Sequence, residues 1–312
     1  MTKFTKSSQK EIPILKNDLY STLVDAKIAC EQNVPLSGYS SFRIGGRGEL
    51  GIFPKSVSEL VFCISKIKRS GKKFYVIGNG SNILFGDGEL DGVFIFTKGL
   101  CGVRVEGNRI YAEAGASLSA IATAAEEGSL TGLEFAKGIP GSLGGAVYMN
   151  AGAYGGQMSD VTVSSTALDT ENGETLTLTE HGFSYRDSVY MRSPSLVCLS
   201  AELRLSAGNG DEIKEKMRSL AVQRREKQPL EFPSAGSYFK RPEGHFAGKL
   251  IEDCGLKGLR VGGAEVSKKH AGFIINVGGA TAADVSELEE KIVSAVYERF
   301  GVTLEREVRL IK

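Results

Sequence analysis

Glycine constrains this chain more than any other residue. There are 39 glycines in 312 residues, where an average usage of about 7% would give roughly 22. They are not strung along a polar linker. They sit as short knots inside apolar sequence, at Gly45-Gly46, Gly78 to Gly80, Gly138 to Gly145, Gly152 to Gly156, Gly262-Gly263 and Gly278-Gly279. A residue without Cβ among strand formers marks a turn with positive φ, or a place where another group must come close to the main chain. A fold built on such knots has to present backbone to something.

Two knots carry the argument. Tyr75 to Ile77 reads as a buried strand, followed by Gly78-Asn79-Gly80-Ser81-Asn82 and a second apolar run, Ile83-Leu84-Phe85. Successive N–H groups in such a turn can form an anion-holding nest, with Ser81 and Asn82 adding side-chain bonds. A dinucleotide-binding or P-loop turn would have to open a helix. Here the next segment reads as strand and turn, and a plain hairpin turn is the competing reading. The second knot runs Gly138-Ile139-Pro140-Gly141-Ser142-Leu143-Gly144-Gly145, then Asn150-Ala151-Gly152 and Gly155-Gly156. Small residues over this length suit a flat ring or a diphosphate lying along the main chain; a tight helix crossing is the alternative.

Composition narrows the class. Lys and Arg total 38 against 37 for Asp and Glu, so no global field would draw nucleic acid or an anionic membrane, and an anion must be met locally. No apolar stretch approaches a membrane span, and Ile12 to Leu15 is too short for a secretion signal. Five widely spaced cysteines without a CxxC pair read as reduced, small core residues, with no metal site expected and the cytoplasm as the compartment. Periodicity predicts helices over 18–32, 58–70, 118–127, 211–227 and one opened by a Thr281 to Asp284 capping box and ending before Gly301. Strands are expected at 73–77, 93–96, 109–113, 175–179, 197–205 and 303–311. Ser206 to Asn209 is small, polar and turn-forming, and is the expected domain boundary. The class is α+β.

Seven segments, in order, resemble the UDP-N-acetylenolpyruvoylglucosamine reductase family. They are Ser40 to Gly46, the Gly78 loop, Gly138 to Ser142, Tyr185-Arg186-Asp187-Ser188, Ala235 to Lys240, Ala247 to Ile251, and Glu305 to Arg309. The resemblance implies a two-lobed FAD-binding domain of the vanillyl-alcohol-oxidase type (about 17–97 and 98–207), then a smaller α/β substrate-binding domain (208–312), after an N-terminal extension (1–16). It implies non-covalent FAD, NADPH as reductant, and a nucleotide-sugar substrate whose enolpyruvyl group is reduced for peptidoglycan synthesis. Neither nucleic acid nor a membrane is an expected partner, and the protein is expected to be a monomer or a weak oligomer. The stretch between Arg186 and Ser237 is too short for the Tyr-bearing loop of the longer subtype, so the chain resembles the compact subtype.

By the same resemblance Arg186, Ser237 and Glu307 are the catalytic residues. A guanidinium fork suits the substrate carboxylate, Ser237 is the acid that protonates carbon, and Glu307 orients or polarises that carboxylate. The FAD contacts implied are Gly78, Asn79, Gly80, Ser81, Asn82, Gly138, Ile139, Pro140, Gly141, Ser142, Gly145, Asn150 and Gly152. Substrate contacts are expected at Tyr185, Lys227, Arg241 (where the family often has Asn) and His270. Two rival functions remain open at this point: an FAD-dependent alcohol oxidase or dehydrogenase on the same scaffold, and a non-redox nucleotide-sugar binding protein.

Overall fold

Helix Val57–Ser70 shows how this sequence selects its elements. Ser56 caps it by accepting from the Glu59 N–H, and Gly71 ends it at φ 71°, a left-handed conformation that glycine enters without a Cβ penalty. Between these stops Leu60, Cys63, Ile64 and Ile67 form one buried stripe. That stripe packs on a four-stranded sheet in the order Ala29–Pro35, Arg47–Phe53, Glu89–Phe96, Phe74–Ile77. Along Glu89–Phe96 the side chains alternate: Val93 and Ile95 join the helix core, whereas Phe94 and Phe96 join a second cluster with Val34, Leu36, Ile77 and Phe85. Both faces of this strand are therefore buried. The structure, a computed structural model, describes residues 19–312; the expected N-terminal extension and the expected helix start at Asp18 lie outside the described residues.

A five-stranded antiparallel sheet follows, ordered Thr175–Leu178, Thr162–Asp169, Leu196–Arg204, Arg109–Glu113, Val103–Glu106. Its core takes in helix Leu118–Glu127 and the short helix Leu143–Tyr148, through Ile121, Ala125, Leu143 and Val147. Helix Gly210–Lys227, expected to open the C-terminal unit, packs Ile213 and Met217 into this same cluster. The packing break thus follows Lys227, because the amphipathic helix buries its stripe on the unit before it.

In the third unit the sheet order is Ser234–Ser237, Phe273–Asn276, Ala264–Val266, Arg260–Val261. Helices Ala247–Asp253 and Ala282–Phe300 cover it, the latter opening on the expected Thr281–Asp284 capping box. The final strand Arg309–Ile311 then leaves this unit and pairs in parallel with Ile83–Phe85 of the first, Arg309 opposite Ile83. The chain end is thereby laid beside the Gly78 loop.

Three expectations are corrected. The helix read over 18–32 is Leu19–Asp25 only, and Ala29–Pro35 is an edge strand paired with Arg47–Phe53. Tertiary pairing, not local pattern, decides that segment. The closing strand read over 303–311 is Arg309–Ile311, preceded by a single bridge from Arg306 to Phe239. Of the five cysteines, all free, Cys63 and Cys198 are buried, but Cys101 is exposed. Among the described residues no helix is long and apolar enough to cross a membrane, and no group of His, Cys, Asp and Glu could hold a metal ion.

Candidate active site

The two glycine loops, 60 residues apart in sequence, touch. Asn79 Nδ2 donates to the Pro140 carbonyl at 3.1 Å. A Cβ added to Gly78 would lie 2.1 Å from Ser142 Oγ, and one added to Gly141 would lie 3.9 Å from Ser81 Oγ. A side chain at position 78 would therefore drive the loops apart. The backbone N–H groups of Asn79, Gly80, Ser81 and Asn82 meet no acceptor among the described residues. Ser142 Oγ is buried and likewise has no partner. Buried polar groups are normally satisfied, so one orphan hydroxyl beside a run of free N–H groups fits an anionic ligand such as a dinucleotide diphosphate. The residues present fit FAD.

The glycines are not equivalent. Gly80 has φ +63°, and a Cβ there would meet the Tyr39 carbonyl oxygen at 1.9 Å; position 80 is glycine because the fold itself needs it. Gly141 has ordinary φ and clearances of 3.6 Å or more, so nothing in the protein excludes a side chain there. Gly138 packs against Arg224, Ile139 lies against the middle core, and Gly145 is open apart from Ser142 Oγ at 3.5 Å. Asn150 and Gly152, expected as cofactor contacts, also have partners within the protein. The Asn150 side chain is buried and engaged, donating to Gln157 Oε1 and the Ser184 carbonyl and accepting from the Ser159 N–H. The carbonyls of Asn150 and Gly152 accept from Arg186 Nη1 at 3.3 Å and Nη2 at 3.1 Å.

Arg186 is the centre of the arrangement. Its Nε donates to Glu307 Oε1 at 2.9 Å, and the two side chains are 20% and 11% exposed. Of the five N–H donors of a guanidinium, three are taken by Glu307, Asn150 and Gly152, which leaves one on each terminal nitrogen for a ligand. Arg186 itself sits at φ 56°, a costly conformation for a residue with a Cβ and one that a functional site can retain. Burial raises the Glu307 carboxyl above its usual pKa, with the Arg186 charge opposing that rise. Asn82 supports the same residue from below: its Nδ2 donates to the Glu307 carbonyl at 3.2 Å, and its own carbonyl accepts from the Arg309 N–H at 2.9 Å.

Ser237 ends its strand, exposed, directly after Gly236 at φ 77°. It is brought to Glu307 by the main chain, since the Glu307 N–H donates to the Tyr238 carbonyl at 2.9 Å. Tyr185 and Arg241 are also joined: Tyr185 Oη accepts from the Arg241 N–H at 3.0 Å, and the Arg241 guanidinium lies over the Phe246 ring. Tyr185 is half exposed and Phe246 more so, so these aromatics rim the site. Lys227 lies exposed at the end of its helix. His270 turns inward to its own segment, its Nδ1 accepting from the Gly272 N–H and its ring set edge-on to Phe273; burial lowers its pKa. Sequence reasoning missed Tyr148 and Met149, which touch Arg309 and Asn82. They lie between the two halves of the second knot and carry no signal of their own.

Comparison with known proteins bears on the family and the fold. Residues 49–179 match the family described as FAD binding domain, and residues 228–311 match UDP-N-acetylenolpyruvoylglucosamine reductase, C-terminal domain. A UDP-N-acetylenolpyruvoylglucosamine reductase of Caldanaerobacter subterraneus subsp. tengcongensis is 48% identical over 300 residues, covering 96% of this chain and 98% of the relative. One from Clostridium novyi is 47% identical over 90% of this chain and 92% of its own length. The crystal structure of the reductase from Thermus caldophilus superposes with a TM-score of 0.79 at 32% identity, over 91% of this chain and 100% of that one.

Proposed function

This chain belongs to the UDP-N-acetylenolpyruvoylglucosamine reductase family, and on that premise we propose that Arg186, Ser237 and Glu307 carry out its reaction on the substrate. The protein is an FAD-dependent, NADPH-consuming oxidoreductase that reduces the enolpyruvyl group of a UDP-N-acetylglucosamine enol ether to give the muramate of peptidoglycan synthesis. Bound FAD would supply the hydride chemistry that links NADPH to the terminal CH₂ of the enol ether. The main-chain N–H groups of Asn79 to Asn82 and the Ser142 hydroxyl would hold its diphosphate.

The one observation that carries the assignment is the Arg186–Glu307 pair with two guanidinium N–H groups still free. Hydride addition at the terminal carbon leaves negative charge spread from the adjacent carbon into the substrate carboxylate. Donors preorganised where charge develops are worth most in a site that excludes water. The two free Arg186 N–H groups meet that carboxylate as a planar fork. Glu307 accepts from Arg186 Nε and so orients the guanidinium toward that carboxylate. Ser237 Oγ gives its proton to the carbon next to the carboxylate. Tyr185, Arg241 and Lys227 bind the rest of the nucleotide sugar from the rim. His270, whose Nδ1 accepts from the Gly272 N–H, is a further substrate contact on this reading.

Free thiols throughout the described chain and use of NADPH suit the cytoplasm. We place the division between FAD-binding and substrate-binding domains after Lys227, where helix packing changes partner. Anaerobic reduction with NADPH, followed by addition of the enolpyruvyl nucleotide sugar, tests the function. The flavin spectrum should bleach and then recover with one muramate formed per flavin. Recovery only on admitting oxygen would refute it.

A further inference from the structure

We infer that Glu289 is a positioning residue for this reaction, its carboxylate clamping together the two chain segments that carry Ser237 and Glu307. The inference rests on the roles proposed above for those two residues. Tyr238 Oη donates to Glu289 Oε2 at 2.8 Å, and Arg306 Nε donates to Glu289 Oε1 at 2.9 Å. Tyr238 directly follows Ser237, and Arg306 directly precedes Glu307. One carboxylate, 14% exposed, thus ties the neighbour of each reacting residue to a single point.

That point is rigid. Glu289 lies on helix Ala282–Phe300, whose N-terminus is held by its capping box and whose Val285, Leu288 and Ile292 are fully buried in the C-terminal core. The two segments share the C-terminal core through Phe239, Leu304 and Val308, and Lys240 Nζ pairs with Glu305 Oε2 at 3.1 Å. The Glu307 N–H donates to the Tyr238 carbonyl, the Lys240 N–H donates to the Glu305 carbonyl, and one bridge pairs Phe239 with Arg306. Holding the Tyr238 and Arg306 side chains at Glu289 therefore ties down the main chain next to Ser237 and next to Glu307.

A clamp of this kind acts on the substrate half-reaction alone. Misplacement of about 1 Å at a reacting group can cost about 10²-fold. In Glu289→Ala and Glu289→Gln, flavin reoxidation by the enolpyruvyl nucleotide sugar should slow by about 10- to 100-fold. Flavin reduction by NADPH, measured on the same flavin-loaded protein, should keep the parent rate. Tyr238→Phe should slow reoxidation by itself but add nothing in the Glu289→Ala background, because residues acting through one partner are not additive. Glu289→Gln and Tyr238→Phe keep the test open if the alanine variant does not fold. Parent-like reoxidation in flavin-loaded Glu289→Gln and Tyr238→Phe would overturn the clamp, as would equal slowing of both half-reactions. Ser237→Ala, run alongside, separates the two levels. If it is slow while the Glu289 variants are normal, only the clamp is wrong. If Ser237→Ala itself reoxidises at the parent rate, the site assignment fails and the clamp with it.

Discussion

Replacing Arg186 by lysine keeps the charge and removes the geometry, which makes it the sharpest single perturbation. The arginine divides its donors among Glu307 Oε1 at 2.9 Å and the carbonyls of Asn150 and Gly152 at 3.3 and 3.1 Å. Two further donors remain for substrate. An ammonium has three donors on one atom and cannot serve three protein acceptors and a carboxylate at once. If it stays on the protein, the substrate loses its fork; if it turns to substrate, Glu307 and two carbonyls lose a partner. Both residues would occupy φ 56°, so backbone strain largely cancels in the comparison. Losing one donor aimed at developing negative charge typically costs about 10²–10³ in turnover, and that is the expected fall in substrate-driven flavin reoxidation. Loss of charge-assisted bonds should also lower stability by about 1.5–3 kcal/mol, so rates belong well below the melting temperature. Anaerobic stopped-flow absorbance of the flavin follows both half-reactions in one experiment. Reduction by NADPH should be unchanged. Should both steps slow by the same factor, Arg186 is holding flavin or fold, and the reasoning is wrong.

Ser237→Ala should likewise preserve flavin reduction but lose about 10²–10⁴ in reoxidation by substrate, the usual cost of a missing general acid, with Ser237→Cys recovering part; an unchanged alanine variant would remove Ser237 as the proton donor. Gly141→Val should lower FAD affinity without a matching loss of stability, since its Cβ clears the protein by 3.6 Å or more. Gly80→Val should instead destabilise the fold against the Tyr39 carbonyl. Flavin titration and thermal melts separate the two, and full flavin occupancy in Gly141→Val would count against the loop as cofactor site. Glu307→Gln tests the pH linkage. Burial raises the Glu307 pKa above 4.5, so the folded state favours the protonated form; its contribution is complete below pH 4.5 and is lost as pH rises through the folded value. The parent should therefore lose stability relative to Glu307→Gln as pH climbs from 4.5 toward neutrality in urea melts, and a difference independent of pH would contradict the buried carboxyl.

Sequence alone determined those features whose physics is local. Glycine excess within apolar sequence announced backbone-lined loops, and the strand after Asn82 excluded a helix-opening nucleotide turn, as the Ile83–Phe85 strand bears out. Capping residues and stripes set the helices Val57–Ser70, Leu118–Glu127 and Ala282–Phe300. What only tertiary structure decided is every relation between distant segments. The edge strand Ala29–Pro35 has one buried side chain and no alternation of its own; its pairing with Arg47–Phe53 makes it a strand. Residues 210–227 carry an amphipathic stripe that could pack on either side, and the choice of the middle core follows from shape. The carbonyls of Asn150 and Gly152 hold Arg186, a partnership that no local pattern announces, because a carbonyl's partner is set by what the fold brings near it. Arg186 and Glu307 lie 121 positions apart, and nothing short-range links them. They meet because the last strand crosses back to pair with Ile83–Phe85, a long-range hydrogen-bonded ladder that no local pattern encodes.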